Sequence, residues 1–238
     1  MPIHPTAIID PNAKIAPDAD IGAFCAIGPD VTIGPRTILR SHFAVRGFTT
    51  IGEDCVIHEC SVVGGEPQDL KYKGEKTQLI IGNRNIIREC CTLNPGTVSG
   101  GGKTVIGSFN LLMAYVHIAH DCYIDNHVVL ANGVQLGGHI HIEDGARLSA
   151  FVAVHHFATI GALSFVSGLS TVTRDIPPFM IVQGMPAKVR RLNEEGLRRK
   201  EVPEENTQAL KKLFKMLFRK EQNRAQVLEI AESEGLSK

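Results

Sequence analysis

The sequence predicts a parallel β-helix built from six-residue repeats and followed by a short α-helical tail. Aliphatic residues recur at every sixth position, and small residues recur four positions after them. From about residue 190 the spacing changes to that of an amphipathic helix. A period of six fits neither an alternating strand nor an amphipathic helix. It fits a coil in which each repeat is one short strand and one corner.

The repeat starts at Ile3 and runs through Ile9, Ile15, Ile21, Ile27, Ile33, Leu39, Val45, Ile51 and Ile57 to Val63. It returns at Ile81, Ile87 and Leu93, and again from Ile106 to Val172. All 26 positions in register are Ile, Leu or Val. Three repeats make one triangular turn of 18 residues. Gly often follows the aliphatic, as in Ile21-Gly22, Ile33-Gly34 and Ile106-Gly107. The small position holds Ala7, Ala13, Thr37, Ser61 and Ala146, which fit a tight interior corner. Trp is absent and aromatics are 5%, so the core is expected to be aliphatic.

The register places Cys25, Cys55, Cys91 and Cys122 on the same small interior position. They read as small buried hydrophobes. The six cysteines include no CxxC pair, which excludes a zinc ribbon or a thioredoxin-type motif. The N-terminus shows no secretory pattern, so a cytoplasmic location with free thiols is expected.

Two breaks, at about 64–80 and 94–105, are polar and Gly-rich and read as loops extruded from the coil. Such excursions usually carry function. The coil is expected to occupy residues 1–185. A helical domain is expected over 190–238, with a first helix whose stripe is Leu210, Leu213, Phe214, Leu217 and Phe218. A second helix is expected at about 221–235. Lys+Arg and Asp+Glu are both 25, which argues against a nucleic-acid binder. No apolar run is long enough to span a bilayer, so stable membrane insertion is not expected.

Ten histidines are many for 238 residues. Residues 18 apart stack on adjacent rungs, about 4.8 Å apart. His120, Gly138 and His156 form one column; Asp121, His139 and Phe157 form the next; His117, Gln135 and Ala153 form a third. His155 lies beside them. A histidine next to a carboxylate suits a general base. Three imidazoles could also hold a catalytic zinc.

The segment Asn110–Cys122 (NLLMAYVHIAHDC) closely resembles the active-site segment of the UDP-N-acetylglucosamine 3-O-acyltransferases of lipid A biosynthesis, a hexapeptide-repeat acyltransferase family. Further matches are Gln68-Asp69-Leu70-Lys71-Tyr72, Gly137-Gly138-His139, Ala153-Val154-His155, Asp175-Ile176-Pro177-Pro178 and Asn193–Arg199. The resemblance covers about residues 1–220. It implies an all-β left-handed parallel β-helix with a small C-terminal α-helical domain. It implies transfer of a 3-hydroxyacyl group from acyl carrier protein to the 3-hydroxyl of UDP-N-acetylglucosamine, with no cofactor and no metal.

Carried over residue by residue, the resemblance makes His120 the general base, Asp121 its orienting partner and the Gly138 N–H the oxyanion donor. Gln68, Asp69 and His139 resemble sugar-binding residues. Lys71, His117, His155 and Arg199 resemble groups that handle the nucleotide, the phosphates or the donor's phosphopantetheine. His156, Asn193, Glu195 and Lys200 are also read as substrate-binding, and Gly168 as the position that limits acyl-chain length. His156 and Lys200 depart from the family, where Gln and Arg are common. Thr92–Thr97 replaces a more basic loop.

His117, His120 and His139 lie on one edge of the coil, and Asn193–Arg199 must reach them from elsewhere. That predicts a homotrimer with sites between subunits. The tail from Arg190 to Lys238 holds 12 Lys+Arg and 9 Asp+Glu, which suits docking of an acidic carrier protein. The alternatives are a CoA-dependent acetyltransferase, cued by Gln183–Lys188, a metal-dependent carbonic anhydrase and a scaffold without activity.

Overall fold

The computed structural model describes residues 3–219, together with residues 225, 227 and 229. The second helix expected at about 221–235 lies, apart from those three positions, outside the described residues.

Each repeat forms a two-residue strand that ends on the aliphatic of the six-residue series, as in Ile8–Ile9, Lys14–Ile15 and Asp20–Ile21. Successive strands enter three different sheets of nine, eight and ten strands, so the coil has three flat faces. We number the faces in the order the chain first visits them. The first edge lies between faces one and two, the second between two and three, the third between three and one. Pairing is parallel and in register, Ile9 beside Ile27 and Val63 beside Leu93. The exception is the final antiparallel pair, Met180–Gly184 with Ala187–Leu192.

The strand to Leu192 carries the ten-stranded sheet past the expected end of the coil at 185. Residues 190–192, read from sequence as the start of the helical segment, are therefore strand. The basic pair Arg190-Arg191 belongs to an edge strand, a place where charge is common.

Inside the coil the aliphatics stack in columns. Ile57, Leu93, Leu112, Ile118 and Leu130 are fully buried, and Phe43 is the one large ring among the fully buried side chains. Cys25, Cys55, Cys91 and Cys122 are buried and free. Each thiol donates to a backbone carbonyl, Cys122 Sγ to Gly137 O at 3.1 Å. Thr37 and Ser61 fill the same interior position and do the same with hydroxyls. Glycine after the aliphatic permits close stacking: a Cβ on Gly82 would stand 2.6 Å from Gly107 O.

The corners turn through residues in the left-handed region, most of them not glycine. On the first edge these are Asp121 (φ 62°), His139 (φ 61°) and Phe157 (φ 66°). Such a residue costs about 1–2 kcal/mol. The cost is offset because its N–H bonds to the rung below, His139 N to His120 O at 3.0 Å and Phe157 N to Gly138 O at 3.2 Å. Stacked rings add to this.

The tail carries helices α1, Glu194–Arg199, and α2, Glu204–Arg219. Lys211 on α2 pairs with Glu194 on α1 at 2.9 Å. Leu210 and Phe214 pack on the core, and Met216 is buried. Leu217 and Phe218, expected on the same stripe, remain exposed at 38% and 39%. No helix among the described residues is long and apolar enough to cross a membrane.

Candidate active site

Both extruded loops leave the coil at the first edge. The first follows strand Val62–Val63 on face one and returns at Gln78–Ile81 on face two; the second follows Thr92–Leu93 and returns at Lys103–Ile106. The next three rungs of that edge carry His120-Asp121, Gly138-His139 and His156-Phe157. The two loops are tied together, since Asn94 Nδ2 donates to Gly65 O and Glu66 O at 2.9 and 3.1 Å.

Asp121 is the buried centre. Its side chain has no solvent exposure, whereas His120 and His139 retain 15% and 24%. Asp121 Oδ2 lies 2.8 Å from His120 Nδ1 and 2.6 Å from Thr97 Oγ1; Oδ1 accepts from Thr97 N at 2.7 Å. His139 Nε2 stands 3.8 Å from Oδ2. A buried carboxylate without partners would take up a proton. Here the Thr97 N–H and hydroxyl and the His120 ring supply its partners.

That arrangement fixes the histidine. With Nδ1 directed at a carboxylate, the tautomer with its hydrogen on Nδ1 would leave Nε2 without one. His139 holds its position by stacking on Phe157 (centroids 4.4 Å apart, 11° between planes) and meets His120 edge-on at 5.2 Å.

Gly138 lies against the His120 ring: a Cβ there would stand 2.6 Å from Cε1 and 2.9 Å from Nε2. The Gly138 N–H donates to no group among the described residues. His117, on the same face, has Nδ1 2.7 Å from Thr92 Oγ1, and burial pushes its imidazole below the usual range, aided by nearby His120.

The remaining predicted residues divide between this edge and the other parts of the coil. Gln68 and Lys71 are exposed on the first loop, where Asp69 Oδ1 accepts from Lys71 N at 3.0 Å. His155 and His156 are exposed, their rings 3.8 Å apart. Asn193, Glu195, Arg199 and Lys200 line a cavity of about 500 Å³ on face three and the second edge, with Arg147 and His127. The Asn193 side chain is already engaged there, capping α1 through Gly196 N and donating to Leu163 O at 2.7 Å. Arg198 and Arg199 hold the Glu195 carboxyl down at about 2. Gly168 is exposed on the third edge. Among the described residues, no hydrogen bond, ion pair or ring contact joins the tail residues or Gly168 to His120.

Sequence reasoning missed Thr97, Gly100 and Thr104. Gly100 closes on the Asp121 carboxylate so tightly that a Cβ would fall 2.0 Å from Cγ. Thr104 Oγ1 accepts from Asp121 N at 2.8 Å. The one available signal was the Gly-rich run at 100–102 in a loop opening at this edge.

His120, Asp121 and His139 place potential ligand atoms within 4.8 Å of one another. Asp121 and His120 Nδ1 are already engaged in hydrogen bonds. A second group, His58, Glu59 and Glu89, is similar, but there Arg88 forks onto Glu89. Cys122 is no nucleophile: burial pushes its thiol up to about 12.

Residues 103–138 match the bacterial transferase hexapeptide family profile (six repeats), and residues 175–238 match domain 2 of UDP N-acetylglucosamine O-acyltransferase. Acyl-[acyl-carrier-protein]–UDP-N-acetylglucosamine O-acyltransferase of Synechocystis is 50% identical over 227 residues, 95% of this chain and 82% of that protein. The crystal structure of UDP-N-acetylglucosamine O-acyltransferase (LpxA) from Moraxella catarrhalis superposes with a TM-score of 0.94 at 42% identity, covering 99% of this chain and 93% of the other. LpxA from Acinetobacter baumannii superposes at 0.95 with 44% identity, covering 98% and 91%. The chain belongs to the UDP-N-acetylglucosamine O-acyltransferases, acyltransferases built on a left-handed parallel β-helix.

Proposed function

We propose that this protein transfers a 3-hydroxyacyl group from acyl carrier protein to the 3-hydroxyl of UDP-N-acetylglucosamine, the first step of lipid A biosynthesis, and that it works in the cytoplasm as a homotrimer. The observation that carries the chemistry is the His120–Asp121 contact of 2.8 Å beside Gly138. His120 Nε2 takes the proton of the sugar 3-hydroxyl as that oxygen attacks the thioester carbonyl. The carbonyl oxygen becomes an oxyanion and accepts a hydrogen bond from Gly138 N–H. Collapse reforms the carbonyl and breaks the C–S bond. The departing phosphopantetheine sulfur takes the proton back from His120, leaving an ester and a free thiol. An imidazole can both accept and return a proton, which suits it to the two transfers.

In this reading Gln68, Asp69 and His139 hold the sugar. Lys71, His117, His155, His156, Asn193, Glu195, Arg199 and Lys200 hold the nucleotide, the phosphates or the donor arm. The residues of this set lie on different edges of a single coil, which supports assembly of each site from two subunits. The third edge supports it further: Phe24, Tyr115, Phe151 and Leu169 stand there 58%, 65%, 64% and 64% exposed. A lone chain would leave that apolar column in water, whereas copies packed edge to edge bury it.

The deciding experiment incubates the protein with 3-hydroxyacyl carrier proteins and UDP-N-acetylglucosamine and identifies the product by mass. An O-acylated nucleotide sugar is expected; an acetylated product from acetyl-CoA alone would overturn the reading. For the assembly, light scattering should give three chains per particle. Co-expressed His120→Ala and Arg199→Ala chains should regain activity that neither has alone, and failure to do so would place the site within one subunit.

A further inference from the structure

We infer that Thr97, on the second extruded loop, is a positioning residue that fixes the proton of His120 on Nδ1 and so keeps Nε2 free as the base. The inference rests on the reading of His120 as the base.

Among the described residues, Thr97 is the group besides His120 whose side chain reaches the Asp121 carboxylate at hydrogen-bond length, and it does so from 24 residues away in sequence. Its N–H reaches Oδ1 at 2.7 Å and its hydroxyl reaches Oδ2 at 2.6 Å. The same hydroxyl oxygen accepts from Gly100 N at 3.2 Å, which directs the hydroxyl hydrogen away from the loop and toward Asp121. Ser99 Oγ lies 3.2 Å from it as well.

The Thr97 N–H occupies Oδ1, and a proton on Oδ2 would displace the Thr97 hydroxyl from donating there, so the loop favours an acceptor carboxylate. An acceptor at Oδ2 then requires His120 Nδ1 to be the donor. Among the described residues, the other titratable groups that interact with the carboxylate are His139 at 3.8 Å and Cys122, whose thiol is pushed up by burial and donates to backbone carbonyls. Neither offers an alternative donor at hydrogen-bond length. Gly100 leaves no room for a side chain over the carboxylate, which keeps the loop closed on it.

Without the hydroxyl, Oδ2 would keep one partner in a fully buried place, and the acid could protonate or turn. His120 would then populate the tautomer with its hydrogen on Nε2, which cannot accept a proton. Thr97→Val removes the hydroxyl and keeps the shape; Thr97→Ser restores it. Turnover of Thr97→Val is expected to fall roughly 10- to 100-fold, the size of one lost hydrogen bond to a buried charge, with KM for the nucleotide sugar little changed. Thr97→Ser should recover most of the rate. Nitrogen-15 NMR of ring-labelled protein should show His120 with Nδ1–H in the wild type and a mixture of tautomers in Thr97→Val.

Wild-type turnover in Thr97→Val, with His120→Ala inactive, would overturn the inference and leave the base intact. Full turnover in His120→Ala would instead overturn the base, and the NMR readout would still decide the part played by Thr97. Should Thr97→Val fail to fold, an Nε2–H tautomer of His120 in the wild type would overturn the inference by itself.

Discussion

His120 Nδ1 and Asp121 Oδ2 stand 2.8 Å apart although the two residues are neighbours in sequence. In an extended strand, neighbouring side chains point to opposite sides. They meet here because Asp121 occupies a corner with φ 62°, which swings its carboxylate back under the preceding ring. The corner that closes the coil therefore also assembles the proposed base and its orienting acid.

Removing the imidazole tests that pair. His120→Ala should lower turnover about 10²–10⁴-fold, the usual cost of losing a general base. The ring is 15% exposed and lies outside the aliphatic columns, so thermal unfolding should stay close to wild type. Retention of more than about a tenth of the wild-type rate would assign proton removal elsewhere.

Gly138→Ala is a test of position. The new Cβ would stand 2.6 Å from His120 Cε1, and the ring must move to admit it. A displacement near 1 Å can cost about 10²-fold in rate. The ring is the nearest obstacle and Gly138 is not in the left-handed region, so the fold should tolerate the change. Comparison of turnover with unfolding temperature separates the two effects; a fully active variant would show that the ring has room.

Much of this site was legible in sequence for one reason. A rigid repeat converts spacing into distance, so 18-residue intervals alone place His120 against Gly138, and Asp121 against His139. The interior cysteines followed from the same register. What was not legible sits where the repeat is interrupted. Thr97 reaches Asp121 through a loop whose path no periodicity describes. Asn193 resembles a substrate ligand, and its amide also caps α1 and donates to Leu163 O, a role no periodicity describes, because a helix following an edge strand leaves N–H groups to satisfy. Leu217 and Phe218 fit a helical stripe, but α2 packs its Leu210 and Phe214 side on the coil and turns those two outward.

His117 gives the molecule a pH dependence of known sign. Burial, reinforced by His120, lowers its folded-state pKa, while the unfolded chain titrates near 6.5. Between those values the unfolded state binds more protons, so stability rises with pH. The contribution is complete above about 6.5 and is lost as pH falls through the folded value. Urea midpoints should therefore drop from pH 7.5 to 5.5, and His117→Gln should shrink that drop. An unchanged difference would mean that His117 is as easily protonated folded as unfolded.

The last prediction concerns the acyl chain. Gly168 is exposed on the third edge, and a Cβ built there would meet Ala150 O at 3.2 Å and Ser149 Cβ at 3.7 Å. A larger side chain is thus admitted only if it extends away from its own coil, toward a neighbouring subunit packed on that edge. We propose that the acyl chain ends in that space. With no side chain at 168 the groove stays open and favours a longer chain. Gly168→Met would fill it. Each methylene excluded from burial forfeits about 0.8 kcal/mol, close to fourfold in kcat/KM. Gly168→Met should therefore lower the rate with long 3-hydroxyacyl carrier proteins and shift the preference several carbons shorter, while short donors keep their rate. A competition among donors of graded length reads this directly. If both proteins rank the series in the same order, the chain ends somewhere other than Gly168.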